Sequence, residues 1–225
     1  MKERPQMAGR RTYRLLCPIA RALDRVGDRW TLLILRDLHA GPARFTELQQ
    51  GLPGLASNLL TSRLRQLQDD GLVRHESGER GAQLYTLTED GEATAPLLYA
   101  LGNYGSRYAP AEDVRRPGNL RTIVVNLRES MRLAAIAEDN AHVELVIDGE
   151  FFTVQIDGGN VTVRYAPDPQ AAASIEMPYE PLIDVVDGRM EPSEFLAKHV
   201  RVARGTQQAA GAFFAVMGRS VAGSR

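Results

Sequence analysis

Apolar residues recur every three or four positions in three consecutive segments of the N-terminal half, which predicts three amphipathic helices. The first covers residues 28–39, the second covers 45–50, and the third begins near Ser57. A turn of sequence Gly-Leu-Pro-Gly at 51–54 separates the second helix from the third. A short helix, a glycine-containing turn and another helix form the helix-turn-helix pattern.

The third helix has one apolar face and one polar face. Leu60, Leu64 and Leu67 share a face and should pack on the preceding helices. Ser57 is predicted to cap the start of this helix, and Gly71 suits the left-handed position that ends it. The polar side carries hydrogen-bonding side chains that suit contacts with base edges and phosphates, namely Ser57, Asn58, Thr61, Ser62 and Arg65, with Arg63 at its flank.

A short charged hairpin is predicted directly after this helix. Residues 72–75 and 84–87 read as paired strands around a tip that contains Arg80. Arg74 on the first strand and Arg80 are candidates for contacts with phosphates or with the minor groove. An ordinary amphipathic helix with a solvated polar face and a surface hairpin would account for the same residues. The helices upstream favour a winged helix that reads duplex DNA.

The second half of the chain changes from helical spacing to alternation. A helix is predicted at 89–108, where Pro96 is expected to kink or restart it. Residues 109–119 are rich in proline and charge, as linkers are. The segments that follow are a helix at 120–137, strands centred on 143–147, 152–156 and 161–165, a strand at 174–177, helices at 179–186 and 192–197, a strand at 199–204, and a closing helix. This pattern predicts an α+β fold with an antiparallel sheet.

Composition allows two hydrophobic cores and excludes a membrane span. The chain has 225 residues, of which 44% are hydrophobic, and it is nearly neutral with 27 basic and 28 acidic residues. Residues 1–111 carry a net positive charge and residues 112–225 a net negative charge, which favours DNA as a partner of the first half. Without an apolar run of about 20 residues or a signal-peptide pattern, no membrane contact and a cytoplasmic location are expected. The predicted parts are an arm at 1–12, a DNA-binding and dimerisation domain at 13–108, a linker at 109–119, a smaller domain at 120–218 and a tail at 219–225.

The first half resembles the HxlR-type branch of winged-helix regulators, which is related to the MarR group. The motifs that carry the resemblance are Cys-Pro at 17–18, Gly-Asp-Arg-Trp at 27–30, Arg-Phe-Thr-Glu-Leu at 44–48, Leu-Thr-Ser-Arg-Leu at 60–64 and Tyr-x-Leu-Thr-x-x-Gly at 85–91. The resemblance implies a homodimeric transcriptional regulator, expected to be a repressor, that binds a near-palindromic operator. It also implies dimerisation through the helix at 89–108, joined by residues 13–27. Leu59 departs from the family pattern, in which a basic or polar residue is expected at this position.

Residues 120–218 resemble a sterol-carrier-protein-2-like domain. The resemblance rests on IDGEFFTVQIDGGNVTVRYAP at 147–167, PYEPLIDVVDGRMEPSEF at 178–195 and HVRVARGTQQAAGAFF at 199–214. That fold encloses a hydrophobic tunnel, so the resemblance implies an apolar or amphipathic small-molecule effector. The residues expected to line the tunnel are Phe152, Val154, Ile156, Val163, Ile175, Leu182, Phe195 and Phe213. Each of them is also explained as plain core, and the domain could serve only as a spacer or a dimerisation module.

Cys17 suggests a redox-sensing regulator as one alternative. It precedes Pro18 at the start of a helix, where the positive end of the dipole and the nearby Arg14 and Arg21 favour a thiolate. Some HxlR-type proteins are known to sense oxidants or electrophiles with a cysteine in this region. A buried apolar cysteine at a helix boundary is the structural alternative. A single cysteine also excludes an internal disulfide.

The pattern of residues does not favour an enzyme. The four histidines, His39, His75, His142 and His199, lack metal-ligand spacing, and no phosphate-binding loop or nucleophile elbow is present in the sequence. We therefore expect neither a catalytic site nor a metal or other cofactor. The competing class is a lipid or small-molecule carrier whose winged helix mediates protein contacts.

Overall fold

The computed structural model describes residues 12–78, 81–108, 110 and 117–222. Residues 1–11 of the predicted arm, most of the predicted linker and the end of the predicted tail lie outside them. The N-terminal part contains α1 (Pro18–Val26), α2 (Thr31–Leu38), α3 (Phe45–Gly51), α4 (Ser57–Asp69), β1 (Val73–Ser77), β2 (Gln83–Leu87), α5 (Glu89–Glu92) and α6 (Ala95–Gly105). The C-terminal part contains a 3-10 turn (Leu120–Ile123), α7 (Val124–Ala134), β3 (Ala141–Ile147), β4 (Glu150–Asp157), β5 (Asn160–Arg164), β6 (Ala173–Met177), α8 (Tyr179–Val186), α9 (Pro192–His199), β7 (Arg201–Arg204) and α10 (Gln207–Ala222).

Helix α4 packs into the N-terminal core through its leucine face. Leu60, Leu64 and Leu67 are all buried, as their spacing predicts. The predicted cap at Ser57 is wrong, because the chain enters the helix one residue earlier. Ala56 holds the extended capping conformation, its carbonyl accepts from the Leu60 amide at 2.9 Å, and no side chain caps the helix.

The end of α4 leads directly into the hairpin. Gly71 has a φ of +71°, and the Leu72 amide donates to the Leu67 carbonyl at 2.9 Å, which closes the helix with a left-handed residue. Strands β1 and β2 pair antiparallel, and Tyr85 of β2 also exchanges two backbone hydrogen bonds with Ala43, at 2.8 and 3.0 Å. The turn before α3 is therefore bonded to the β1–β2 hairpin, which is the wing of the fold.

The helix predicted at 89–108 is interrupted. Thr88 caps α5 by accepting from the Gly91 amide at 3.1 Å, and the chain restarts as α6 with Pro96 in its first turn. This confirms the predicted restart, since proline lacks the amide that an interior helical position requires.

The C-terminal sheet has the strand order β5-β4-β3-β6-β7. The prediction of an antiparallel sheet is wrong for one pair, because β3 and β6 run parallel. After β5 the chain crosses to the far side of β3, so β6 enters the sheet in the same direction as β3. In addition, β7 begins at Arg201 rather than His199, since α9 extends through His199. Helices α7 and α10 pack on this sheet.

The two parts of the chain contribute to each other's cores. Val125 of α7 is buried in the N-terminal core, and Ala40 from the end of α2 is buried in the core of the sheet. Within the described residues, no helix has the length and apolar character required to cross a bilayer.

Candidate nucleic-acid interface

The face of α4 opposite its leucines is exposed. Ser57, Asn58, Ser62 and Arg65 are exposed on it, and Thr61 is half-buried. Among the described residues, no hydrogen bond or ion pair engages the Arg65 guanidinium. Arg65 therefore presents its donors on a helix that is held rigid by three buried leucines.

Two polar side chains of this face make local bonds. The Asn58 Oδ1 accepts from the Leu59 amide at 2.8 Å, and the Thr61 hydroxyl donates to the Ser57 carbonyl at 2.9 Å. Thr61 thus offers acceptor lone pairs outward. Leu59 packs against the N-terminal core, which explains the departure from the family pattern at this position.

The structure places Arg63 in intramolecular contacts rather than on the free face. Its Nη2 forms an ion pair with Asp28 at 2.6 Å, and its Nη1 donates to Gln66 Oε1 at 2.8 Å. The side chain is 24% exposed, and its Nε is buried. The guanidinium thus ties α4 to the segment that precedes α2, which argues against the predicted contact of Arg63 with DNA.

Arg74 is held within the wing but keeps an exposed edge. Its Nη1 donates to the Leu87 carbonyl at 2.8 Å, and its Nη2 pairs with Glu76 at 2.6 Å. The side chain remains 53% exposed. Arg80, the other predicted wing contact, lies outside the described residues.

The exposed polar face of α4, which we call the recognition face, is adjacent to the wing. Burial raises the pKa of Tyr85 in β2, and the positive charge of Arg65 opposes that shift.

Sequence reasoning did not identify Arg44 as a candidate contact. Arg44 is exposed at the start of α3, one residue after the Ala43 bridge to Tyr85. Its place at the head of the Arg-Phe-Thr-Glu-Leu motif was the available signal.

A second set of exposed side chains is apolar and lies along α1 and α6 and beside the ends of these helices. We call it the apolar helix surface; it comprises Leu16, Ile19, Leu23, Leu97, Leu101, Tyr104 and Tyr108. Its residues follow helical spacing on both helices, so each helix presents a continuous stripe. Exposed apolar side chains grouped in this way are candidates for an interaction site.

Cys17 lies at the edge of the apolar helix surface, between Leu16 and the start of α1. It is a free and exposed thiol. The alternative of a buried apolar cysteine is therefore wrong for this chain.

The C-terminal part contains an apolar cavity of about 50 Å³ between the sheet and helices α7 to α10. Three predicted lining residues, Leu182, Phe195 and Phe213, contribute to its wall. The other five do not: Phe152, Val154, Ile156, Val163 and Ile175 are buried in the sheet core. The wall instead uses residues that sequence reasoning missed, among them Leu127, Leu145, Ile147, Met177, Val200 and Phe214. Within the residues that the structure describes, no group of three His, Cys, Asp or Glu side chains is arranged to hold a metal ion.

Comparisons with known proteins match the N-terminal half. Residues 25–113 match the family model described as an HxlR-like helix-turn-helix. An uncharacterized HTH-type transcriptional regulator of Methanothermobacter thermautotrophicus is 32% identical over 44% of this chain and 76% of its own length. One from Synechocystis is 34% identical over 43% of this chain and 73% of its own. The crystal structure of PA1607, a putative transcription factor, is 43% identical over 46% of this chain and 72% of its own, with a TM-score of 0.41.

Proposed function

Because this chain belongs to the HxlR-like helix-turn-helix family of transcriptional regulators, we propose that it is a homodimeric repressor that binds a near-palindromic operator. The observation that carries this proposal is the exposed polar face of α4, where Arg65 lies beside the wing. A helix of 13 residues fits the major groove, where base pairs present distinct patterns of donors and acceptors.

Side-chain chemistry suggests how the DNA would be read. Arg65 suits a bidentate contact with guanine, and Asn58 suits adenine, while Ser57, Thr61 and Ser62 suit either bases or phosphates. Arg74 and Arg80 of the wing, together with Arg44, suit phosphates. DNA binding and dimerisation are assigned to residues 13–108.

The apolar helix surface supports the proposed homodimer. Its stripes on α1 and α6 would be covered by the same stripes of a second copy, as a two-fold axis requires. Such a dimer can present two α4 helices about one turn of DNA, or roughly 34 Å, apart.

We further propose that residues 120–218 form a sterol-carrier-protein-2-like domain that binds an apolar or amphipathic effector. The apolar cavity supports this, and its volume of about 50 Å³ means that the helices around it must move apart to admit such a molecule. Helix α7 offers a route for control, because Leu127 lines the cavity, Val125 is buried in the N-terminal core, and Asn126 lies against Gly102 of α6. An effector would act only if it binds one arrangement of these helices better than another.

Selection from a random-sequence duplex pool with the full chain tests the proposed function. A regulator should enrich a symmetric site whose half-site centres lie about 10 base pairs apart. The cavity alone would also suit a carrier, but a carrier should enrich no sequence. Binding of duplex DNA without sequence preference would therefore contradict the proposal that the protein is a sequence-specific regulator.

Arg63→Ala is expected to weaken the fold without weakening phosphate binding. The variant loses the contacts to Asp28 and Gln66, which should lower the free energy of unfolding by about 1 kcal/mol for a partly exposed pair. Urea unfolding measures this loss, and Arg65→Ala on the same helix is the matched control. Wild-type stability combined with a shallower salt dependence of DNA binding would restore Arg63 as a phosphate contact.

Arg80→Ala is expected to weaken binding to all duplexes alike. Losing one phosphate contact should reduce the slope of log affinity against log salt by about 0.9. The slope is measured on the selected site and on an unrelated duplex, with Arg164→Ala, an exposed arginine of β5, as the charge-matched control. An unchanged slope would remove Arg80 from the interface.

A further inference from the structure

Arg121 extends from the start of the C-terminal part into the N-terminal part. It is 3% exposed, and its guanidinium reaches three backbone carbonyl groups. Nε donates to the Asp37 carbonyl at 3.1 Å, and Nη2 donates to the carbonyls of Pro42, at 3.1 Å, and Gly41. These carbonyls belong to the last turn of α2 and to the chain that leads into α3. A cation at this position complements the negative end of the α2 dipole.

Residues near Arg121 also bond the C-terminal part to α3 and to the end of α2. The Asn119 Nδ2 donates to the Glu47 carbonyl of α3 at 2.9 Å, and the Tyr165 amide donates to the Ala40 carbonyl at 2.9 Å. Gly118 lies so close to α3 that an added Cβ would sit 2.2 Å from the Gln50 carbonyl oxygen. The C-terminal part is therefore bonded to the backbone of the helix-turn-helix at several points, and Arg128 of α7 adds a side-chain bond to His39 Nδ1 at 2.9 Å.

Tyr165 and Glu150 of the C-terminal part also hold Arg121 in position. The guanidinium lies over the ring of Tyr165, with its Cζ 5.2 Å from the ring centroid. The Tyr165 hydroxyl donates to Glu150 Oε2 at 2.7 Å, and the Leu120 amide donates to the same oxygen at 2.7 Å. Arg121 is thus held in one orientation before any ligand binds.

A short backbone path joins Arg121 to the recognition face. Ala43 directly follows Pro42, which accepts from Arg121, and Ala43 is bonded to Tyr85 of the wing in both directions. Tyr85 in turn is close enough to Arg65 for the arginine charge to affect its pKa.

We propose that Arg121 is a positioning residue for DNA binding: it fixes the turn between α2 and α3, and through the Ala43–Tyr85 bridge it holds the wing in place beside α4. The C-terminal part is then an integral piece of the DNA-binding apparatus and not a separable module. This inference rests on the proposed function and extends it to residues beyond the match to the family model, which ends at residue 113.

Arg121→Met in the full chain tests this, because methionine keeps much of the buried stem and removes all of the donors. We expect operator affinity to fall roughly tenfold, with an unchanged salt slope because no phosphate contact is lost. Amide hydrogen exchange at Ala43 should accelerate by a similar factor. Wild-type operator affinity or wild-type exchange at Ala43 would overturn the proposal.

Three further variants separate positioning from stability. Val143→Ala truncates a fully buried residue of β3, and it should lower the unfolding temperature while leaving exchange at Ala43 and operator affinity unchanged.

Arg121→Lys restores one charge and should recover part of the operator affinity that Arg121→Met loses. If the methionine variant binds the operator as well as the lysine variant, Arg121 only fills space. Asn119→Ala, which loses the bond to the Glu47 carbonyl and the cap on the Arg121 amide, should raise exchange in α3 even if Arg121→Met does not fold. Since exchange needs no DNA, a wild-type chain that selects no duplex would contradict the proposed function while the exchange result still decides the role of Arg121.

Discussion

Replacing Leu101 by glutamate is expected to turn the proposed dimer into a monomer and to reduce operator affinity on the order of a hundredfold. Leu101 is exposed on α6 between Leu97 and Tyr104, within the apolar helix surface. In a two-fold dimer the substitution appears twice in one interface, and a buried carboxylate without a partner costs several kcal/mol. A monomer then engages one half-site instead of two.

Light scattering during gel filtration measures this directly. The variant should elute with the mass of one chain, 24.8 kDa, and the wild type with twice that mass. Val186→Glu places the same charge at an exposed apolar position on α8, and it should leave both mass and operator affinity unchanged. A Leu101→Glu chain that remains dimeric would contradict the placement of the interface, and a monomeric wild type would contradict the dimer itself.

Local periodicity is sufficient to predict the elements that carry the candidate site. The three leucines of α4 are buried because helical spacing alone places them on one face, and the Gly71 turn and the hairpin follow from equally local chemistry. For the same reason the exposed positions of Asn58, Ser62 and Arg65 could be anticipated. Their role in reading DNA remains a proposal.

The partners of the arginines could not be predicted in this way. Arg63 flanks the polar face in sequence, yet its partner Asp28 comes from a segment far upstream. Arg121 was not recognised at all, because the carbonyl groups it binds belong to every residue and leave no signature in the sequence. Contacts of this kind depend on how segments that are distant in sequence pack together.

Strand periodicity also leaves the sheet order and the cavity wall undetermined. Alternation identifies β3 and β6 as strands, but it does not state that they pair in parallel. Inward-facing residues such as Phe152 and Val154 are correctly assigned to the interior, where they fill the core. Which interior residues border the cavity depends on the packing of α8, α9 and α10, as the contribution of Phe214 illustrates.

Arg65→Ala is expected to remove about 1–3 kcal/mol of discrimination at one base pair of each half-site. The reason is that Arg65 is exposed on the face of α4 and carries five donors in a planar fork that matches the acceptors of guanine. Competition between the selected operator and single-base variants of it measures the loss. Base substitutions at one position of the half-site should cost less affinity than they do for the wild type, and substitutions at the other positions should cost the same.

Two substitutions decide whether Arg65 reads a base or only supplies charge. Arg201→Ala removes an equal charge from β7, where the arginine is 71% exposed, and it should leave discrimination unchanged. Arg65→Lys keeps the charge but loses the bidentate geometry, so it should retain most of the affinity for unrelated duplexes while losing discrimination. If lysine preserved full discrimination, Arg65 would be a phosphate contact, and recognition would depend on Asn58 and Ser62 instead.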